Sequence, residues 1–356
     1  MTTLKILAGP KAYQFIRNNG LSASDVSAIF GASGAAKWLT IYGLDKAIFS
    51  QWLNESQQPI DLFGTSVGAF KLAAAAQADP AAAMTTLANA YIDQHYQGEI
   101  TAEQVNIETV RILDSFLTET GVNEILTNPR FNYHCASVRC LGMLASDNIS
   151  IQKAAMVKAF LLSLIDRRML KNTFERVIFY SGSPVNHYSG LDGFTSHRIA
   201  MSAKNLSAAV LSSGSIPVIM PGIKSISDAP VGVYRDGGLL DYHAVPSNLA
   251  DSQRGLVLYP HFYTYLKEGW FDKFTPWRKV KAKQLENVVI IGPGEEFVRS
   301  LPGSEIPDRQ DFIRFKDNDQ ERIRRWSIAR DRSEELGEEF IQLAHSGDIA
   351  SVVSAI

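Results

Sequence analysis

Short β-like apolar runs alternate with helix-like stretches along most of this chain. That alternation narrows the fold to an α/β layered architecture, with a largely parallel central sheet flanked by helices. The candidate strands are Leu4 to Leu7, Val26 to Phe30, Ile60 to Phe63, Val177 to Tyr180, Gly232 to Tyr234, Leu256 to Tyr259 and Val288 to Ile291. Helix is expected from about Trp38 to Leu53, across AFKLAAAAQA up to Pro80, from Ala203 to Leu211, and over the Glu- and Arg-rich tail from about Asp319 to Ala344. Alanine, leucine and lysine favour helix and proline stops it. Pro80 to about Lys171 reads as a mostly helical insertion. No proline- or glycine-rich linker divides the chain, so a single domain is expected. Its core would span about 23–246, the helical insertion about 80–171, and the C-terminal strands and helix about 255–345.

With 356 residues, 46% apolar and 20% charged, the chain can build a sizeable core. A formal charge of -2 gives none of the positive field that nucleic-acid binding needs, so no nucleic-acid partner is expected. The two cysteines, Cys135 and Cys140, are too few for a disulfide scaffold. His134 beside Cys135 invites a metal, but structural zinc wants four ligands in paired spacings and no second pair lies nearby. No metal or other cofactor is expected. The first twenty residues lack the apolar core and cleavage site of a secretory signal. The longest apolar window, Ala154 to Ile165, is interrupted by Lys158 and is too short to span a bilayer. It reads as buried core rather than as a lid helix. The expectation is a cytoplasmic chain, with signal-independent export left open.

The stretch IDLFGTSVGAF, Ile60 to Phe70, places Ser66 between Gly64 and Gly68, with a strand before it and a helix after it. A serine nucleophile needs exposure on a tight turn, a base, and donors for the oxyanion. The two glycines remove Cβ atoms that such an elbow would crowd. The helix beginning at Val67 turns its free N–H groups and positive end toward the site. A turn serine capping a helix is the competing reading.

Two further segments complete a constellation. In VYRDGGLLDYH, Asp236 ends a short apolar strand and precedes Gly237 and Gly238, a carboxylate at a strand end where open α/β sheets build their sites. A hairpin turn also explains Asp-Gly. The loop GASGAAKW, at the end of Val26–Phe30, offers small residues whose backbone N–H groups, at Gly34, Ala35 and Ala36, can face a developing anion. It is no nucleotide loop, because Lys37 is preceded by Ala36 and followed by Trp38. A triad using a late histidine, His243, His261 or His345, stays open.

In this order the segments resemble those of the patatin-like phospholipase family: a small-residue oxyanion loop (Ser33-Gly34-Ala35-Ala36-Lys37), Gly64-Thr65-Ser66-Val67-Gly68, and Asp236-Gly237-Gly238. AAVLSSGSIPVIMPGI, Ala208 to Ile223, looks like the family's Ala-Ser-x-x-x-Pro segment. The resemblance covers roughly Ala23 to Pro246. It implies a patatin-like fold and a serine–aspartate dyad acting on a lipid ester. Ser66 would be the nucleophile and Asp236 the base, without metal or cofactor. Ser33, Ala35 and Trp38 depart from the family's glycines, and Ala35 resists the positive φ that glycine accepts. A binding module on the same fold, without activity, is the remaining alternative. Finally, HFYTYLKEGWFDKFTPWRKVKAK, residues 261–283, interleaves aromatic and basic residues. It reads either as packing on the domain's own flank or as a peripheral membrane contact.

Overall fold

The computed structural model describes residues 3–96, 98–182, 190–249 and 255–356. Among them the strands are β1 (Leu4–Ala8), β2 (Val26–Gly31), β3 (Ile60–Thr65), β4 (Phe131–Cys140), β5 (Phe174–Tyr180), β6 (Ser196–Ala200), β7 (Ile223–Lys224), β8 (Val233–Asp236), β9 (Leu256–Pro260), β10 (Val288–Pro293) and β11 (Ser354–Ala355). They form one sheet in the order β11-β1-β10-β9-β2-β3-β4-β5-β6, with β8 paired to β4 and β7 to β8. The central run β10-β9-β2-β3-β4 is parallel throughout. Antiparallel pairs lie outside it, at β1 with β10 and where β5 and β8 meet β4. Helices flank the sheet, so the architecture is mixed α/β with a mostly parallel centre. The central strands are buried on both faces, as their continuous apolar runs require.

Three helices matter below: α1 (Val67–Ala75), α2 (Ile149–Ile165) and α3 (Leu206–Ser213). Every residue of α1 is buried, which fits a helix of Val, Gly, Ala, Phe and Leu on nearly every side. No helix among the described residues is long and apolar enough to cross a membrane.

Two expectations need correction. The stretch from Pro80 to Lys171 is not a purely helical insertion, because it contains β4, a ten-residue strand inside the sheet. Asn132, His134, Ser137 and Arg139 interrupt its apolar run and hide the strand signal; Asn132, His134 and Arg139 are bound by neighbouring groups, whereas the buried Ser137 hydroxyl has no hydrogen-bond partner. His134 Nδ1 lies 2.9 Å from the Asn132 carbonyl, and Asn132 donates to Asp61 at 3.0 Å. The single helix expected from Trp38 to Leu53 is broken. A 3-10 turn, Ala35–Ile41, leads into an α-helix, Tyr42–Ser50, and a second 3-10 turn, Trp52–Glu55.

Candidate active site

The strand that sequence reasoning missed explains why Ser66 and Asp236 meet. One edge of β4 pairs in parallel with β3 as far as Thr65 opposite Ala136. The next rung on that edge, Ser137, pairs antiparallel with Asp236 of β8. Two strands running in opposite directions therefore end head to head on one template. The residue after the first and the last residue of the second become neighbours. Ser66 Oγ donates to Asp236 Oδ2 at 2.8 Å, across 170 positions of chain.

The elbow has the backbone its residues suggest. Ser66 sits at φ 53 and ψ -133, in a region that non-glycine residues rarely adopt. Such strain costs on the order of 1–3 kcal/mol and persists only where the surroundings impose it. The glycines permit the close packing that does so. A Cβ on Gly64 would strike the backbone of Gly68 and Ala69, and one on Gly68 would strike the backbone of Gly31 and Ala32. The Ser66 N–H donates to Ser213 Oγ at 2.9 Å, and Ser213 in turn donates to the Ala136 carbonyl at 2.6 Å. Ser213, at the end of α3, therefore anchors the elbow to β4. It is a positioning residue that lay unremarked within the SSGSIP segment.

Asp236 is held from its other side. Its Oδ1 accepts the Gly238 N–H at 2.7 Å, and its own N–H donates to the Ser215 carbonyl at 3.0 Å. Gly237 has no room for a side chain, since a Cβ would meet the Ala136 carbonyl. Asp236 is 7% exposed. Burial pushes its pKa up to about 6, against the opposing pull of the hydrogen bonds from Ser66 and Gly238 and of the charges of Lys273 and Arg309. A carboxylate poised there is ionised at neutral pH and still basic enough to accept a hydroxyl proton.

The small-residue loop lies against the same place. Ser33 N–H donates to the Tyr242 carbonyl at 2.9 Å, and its Oγ lies 2.8 Å from Thr65 Oγ1. Thr65 Oγ1 donates to the Asp241 carbonyl at 2.7 Å. These bonds lock the loop, the elbow and the segment after Asp236 into one unit. Gly34 is wedged against the Phe262 ring, where a Cβ would clash. Ala35 does take the positive φ expected to be awkward for it, at 51°. It opens the 3-10 turn Ala35–Ile41, whose first N–H groups, including that of Ala36, have no partner within the turn. Lys37 is half-buried and pairs with Asp308.

A cleft of about 760 Å³ opens onto this unit. Ala35 and Ser66 are among its lining residues, and Val67, Phe70, Ile112 and Met220 contribute apolar wall. That size and lining suit a small molecule with a substantial apolar part.

The late histidines stand elsewhere. His243 and His261 are fully buried, with Nδ1 bound to the backbone of Lys267 and Tyr263. Burial lowers both, His261 to about 3, so both rings are neutral. His345 is at the surface beside Glu55, 2.7 Å away. None of the three has a hydrogen bond to Ser66 or Asp236. Cys135 is buried and donates to the Ala209 carbonyl, and no group of three or more His, Cys, Asp or Glu among the described residues could hold a metal ion.

No protein-family model matches the chain, and no curated protein is significantly similar to it. Among solved structures, the crystal structure of VipD from Legionella pneumophila superposes with a TM-score of 0.33 at 12% sequence identity. The match covers 77% of this chain and 56% of that one, so the chain spans little more than half the length of the structure it resembles. A likeness this distant leaves the functional reading to rest on the geometry.

Proposed function

We propose that this chain is a serine–aspartate acyl hydrolase acting on lipid esters, of the patatin-like kind that its ordered motifs resemble. The observation that supports this most is the 2.8 Å contact between Ser66 Oγ and a buried, ionised Asp236 beside an apolar cleft. In this reading the acyl chain lies along the apolar wall with its ester carbonyl over Ser66. Ser66 Oγ attacks the carbonyl carbon as its proton passes to Asp236 Oδ2. The N–H groups of Gly34, Ala35 and Ala36 face the oxyanion. The Ser66 N–H is taken by Ser213 and is left out of that role. Collapse of the tetrahedral intermediate expels the alcohol, which takes the proton from Asp236 and leaves an acyl-Ser66 ester. Water then gives a proton to Asp236 and attacks the acyl carbon. Ser66 leaves with that proton and the fatty acid is released.

Hydrolysis of a panel of p-nitrophenyl esters and phospholipids tests the reading. Wild type should turn over long acyl esters better than acetate, because each methylene buried on the cleft wall contributes about 0.8 kcal/mol. Ser66→Ala should reduce every rate to background. Turnover by Ser66→Ala equal to wild type rejects the proposal.

A further inference from the structure

Helix α2 is built inside out. The residues it buries are Gln152, Ala155, Ala159 and Ser163, small or polar side chains on one side. The large aliphatic side chains point outward: Val157 is 59% exposed, Leu161 55% and Ile165 75%, with Leu164 beside them. A helix facing water has the opposite arrangement. Lys153 and Lys158 are exposed at the two borders of this strip, and the helix holds no Asp or Glu. The expectation that Ala154 to Ile165 is core therefore fails for Val157, Leu161, Leu164 and Ile165, while Met156 and Phe160 do pack against a core cluster. Apolar residues lie on both sides of the helix, and the small residues Ala155, Ala159 and Ser163 mark the side that meets the protein.

The strip does not stand alone. Phe160 packs edge-on against Phe274, ring centroids 5.6 Å apart, and Arg278 donates to the Leu164 carbonyl at 3.1 Å. These contacts bring the 270–278 segment alongside α2. There Phe274 and Trp277 are exposed, Trp277 by 69%, and exposed Lys279, Lys281 and Lys283 follow. Nearby acids are already paired: Asp272 with Arg278, Asp166 with Arg168, and Asp147 with Lys224.

Both parts of this surface are anchored to elements beside the cleft and Asp236. Gln152 Oε1 accepts the Val218 N–H at 2.8 Å, which ties the first turn of α2 to the loop whose Ile216, Ile219 and Met220 line the cleft. At its other end, Trp270 packs on Phe274, and Lys273 of the same turn lies 3.7 Å from the Tyr242 ring, close enough to Asp236 for its charge to be felt there.

We propose that the outward face of α2, together with Phe274 and Trp277, docks on an anionic lipid surface and holds the cleft against it. The inference takes its purpose from the acyl-hydrolase reading. Its evidence is an apolar strip bordered by lysines, next to an exposed tryptophan, the pattern of a helix lying in the headgroup zone. A two-fold pairing with a second copy would set the same lysines against each other. An anionic lipid surface meets both the apolar strip and the cations.

The experiment is co-sedimentation with phosphatidylcholine vesicles, with and without phosphatidylglycerol, using Ser66→Ala protein so that no turnover intervenes. The protein should bind the mixed vesicles, and the Leu161→Glu/Ile165→Glu variant should bind them about tenfold or more weakly. The altered residues are exposed and outside the cleft, so this variant, in an otherwise wild-type chain, should melt like wild type and keep its rate on a soluble ester. A Phe274→Ala/Trp277→Ala variant should lose binding in the same way. Binding by both variants equal to the parent overturns the proposal. So does absence of binding by the parent, or a dimer that Leu161→Glu/Ile165→Glu converts to monomer while vesicle binding persists. Loss of Ser66-dependent hydrolysis would be read separately, since sedimentation does not depend on it.

Discussion

Asp236→Asn is expected to lower the turnover of a soluble ester by roughly 10²–10⁴-fold, the range associated with losing a general base. The amide still offers an oxygen to the Gly238 N–H and cannot take the proton of Ser66, so the elbow should survive while the chemistry stops. The wild-type pH profile carries the same information. In the proposed mechanism Asp236 works as its carboxylate, so kcat/KM should fall about tenfold per pH unit below a midpoint near the pKa of about 6, and the limb should vanish in the variant. The stability effect has the opposite sense. A carboxylate whose folded pKa is raised binds its proton more tightly folded than unfolded, so stability declines as pH rises from about 4 to about 6. At neutral pH the burial of that charge costs about 3 kcal/mol. Asparagine removes the cost, so the variant should melt no lower than wild type at neutral pH. His243→Asn and His261→Asn, which retain an acceptor near Nδ1, should change turnover by only a few fold. A rate collapse in either of them, with Asp236→Asn unaffected, would instead support a histidine triad.

The second large effect is on stability. Lys71 lies in the middle of α1 with its side chain 2% exposed, and its ammonium donates to both oxygens of Asp45, at 2.9 and 2.8 Å. Trp38 Nε1 donates to the same carboxylate at 2.9 Å. The pair thus joins the helix that follows Ser66 to the helix Tyr42–Ser50 and, through Trp38, to the 3-10 turn Ala35–Ile41. Removing one partner strands a buried charge, so Lys71→Met should cost about 3–5 kcal/mol, a fall in melting temperature of roughly 5–10 °C. The Lys71→Met/Asp45→Leu double variant should recover much of this, because an apolar pair leaves no charge behind. Differential scanning calorimetry of the set decides the matter. Single variants as stable as wild type would show that the pair contributes nothing.

The parts of the site that follow from local chemistry were legible in the sequence. Gly64 and Gly68 mark an elbow because only glycine fits where they pack, and Asp236-Gly237-Gly238 marks a carboxylate on a crowded turn. What lay hidden depends on residues distant in sequence. Strand β4 carries too many polar side chains to read as sheet, and without it nothing shows that β3 and β8 end face to face. Ser213 has no local mark as the partner of Ser66, 147 positions away. Lys71 did leave a trace, a single cation in a helix otherwise apolar on every side, which implies a buried partner. In α2 the apolar content was visible and its direction was not, because Ala155 and Ala159 face the protein while larger neighbours face outward.

A fluorophosphonate probe mapped by mass spectrometry tests the central claim most directly, since it reacts only with a serine that a neighbouring base activates. The account predicts one adduct, on Ser66, absent from Ser66→Ala and much slower to form in Asp236→Asn. An adduct on another serine, or labelling that persists unchanged when Asp236 is replaced, would contradict it.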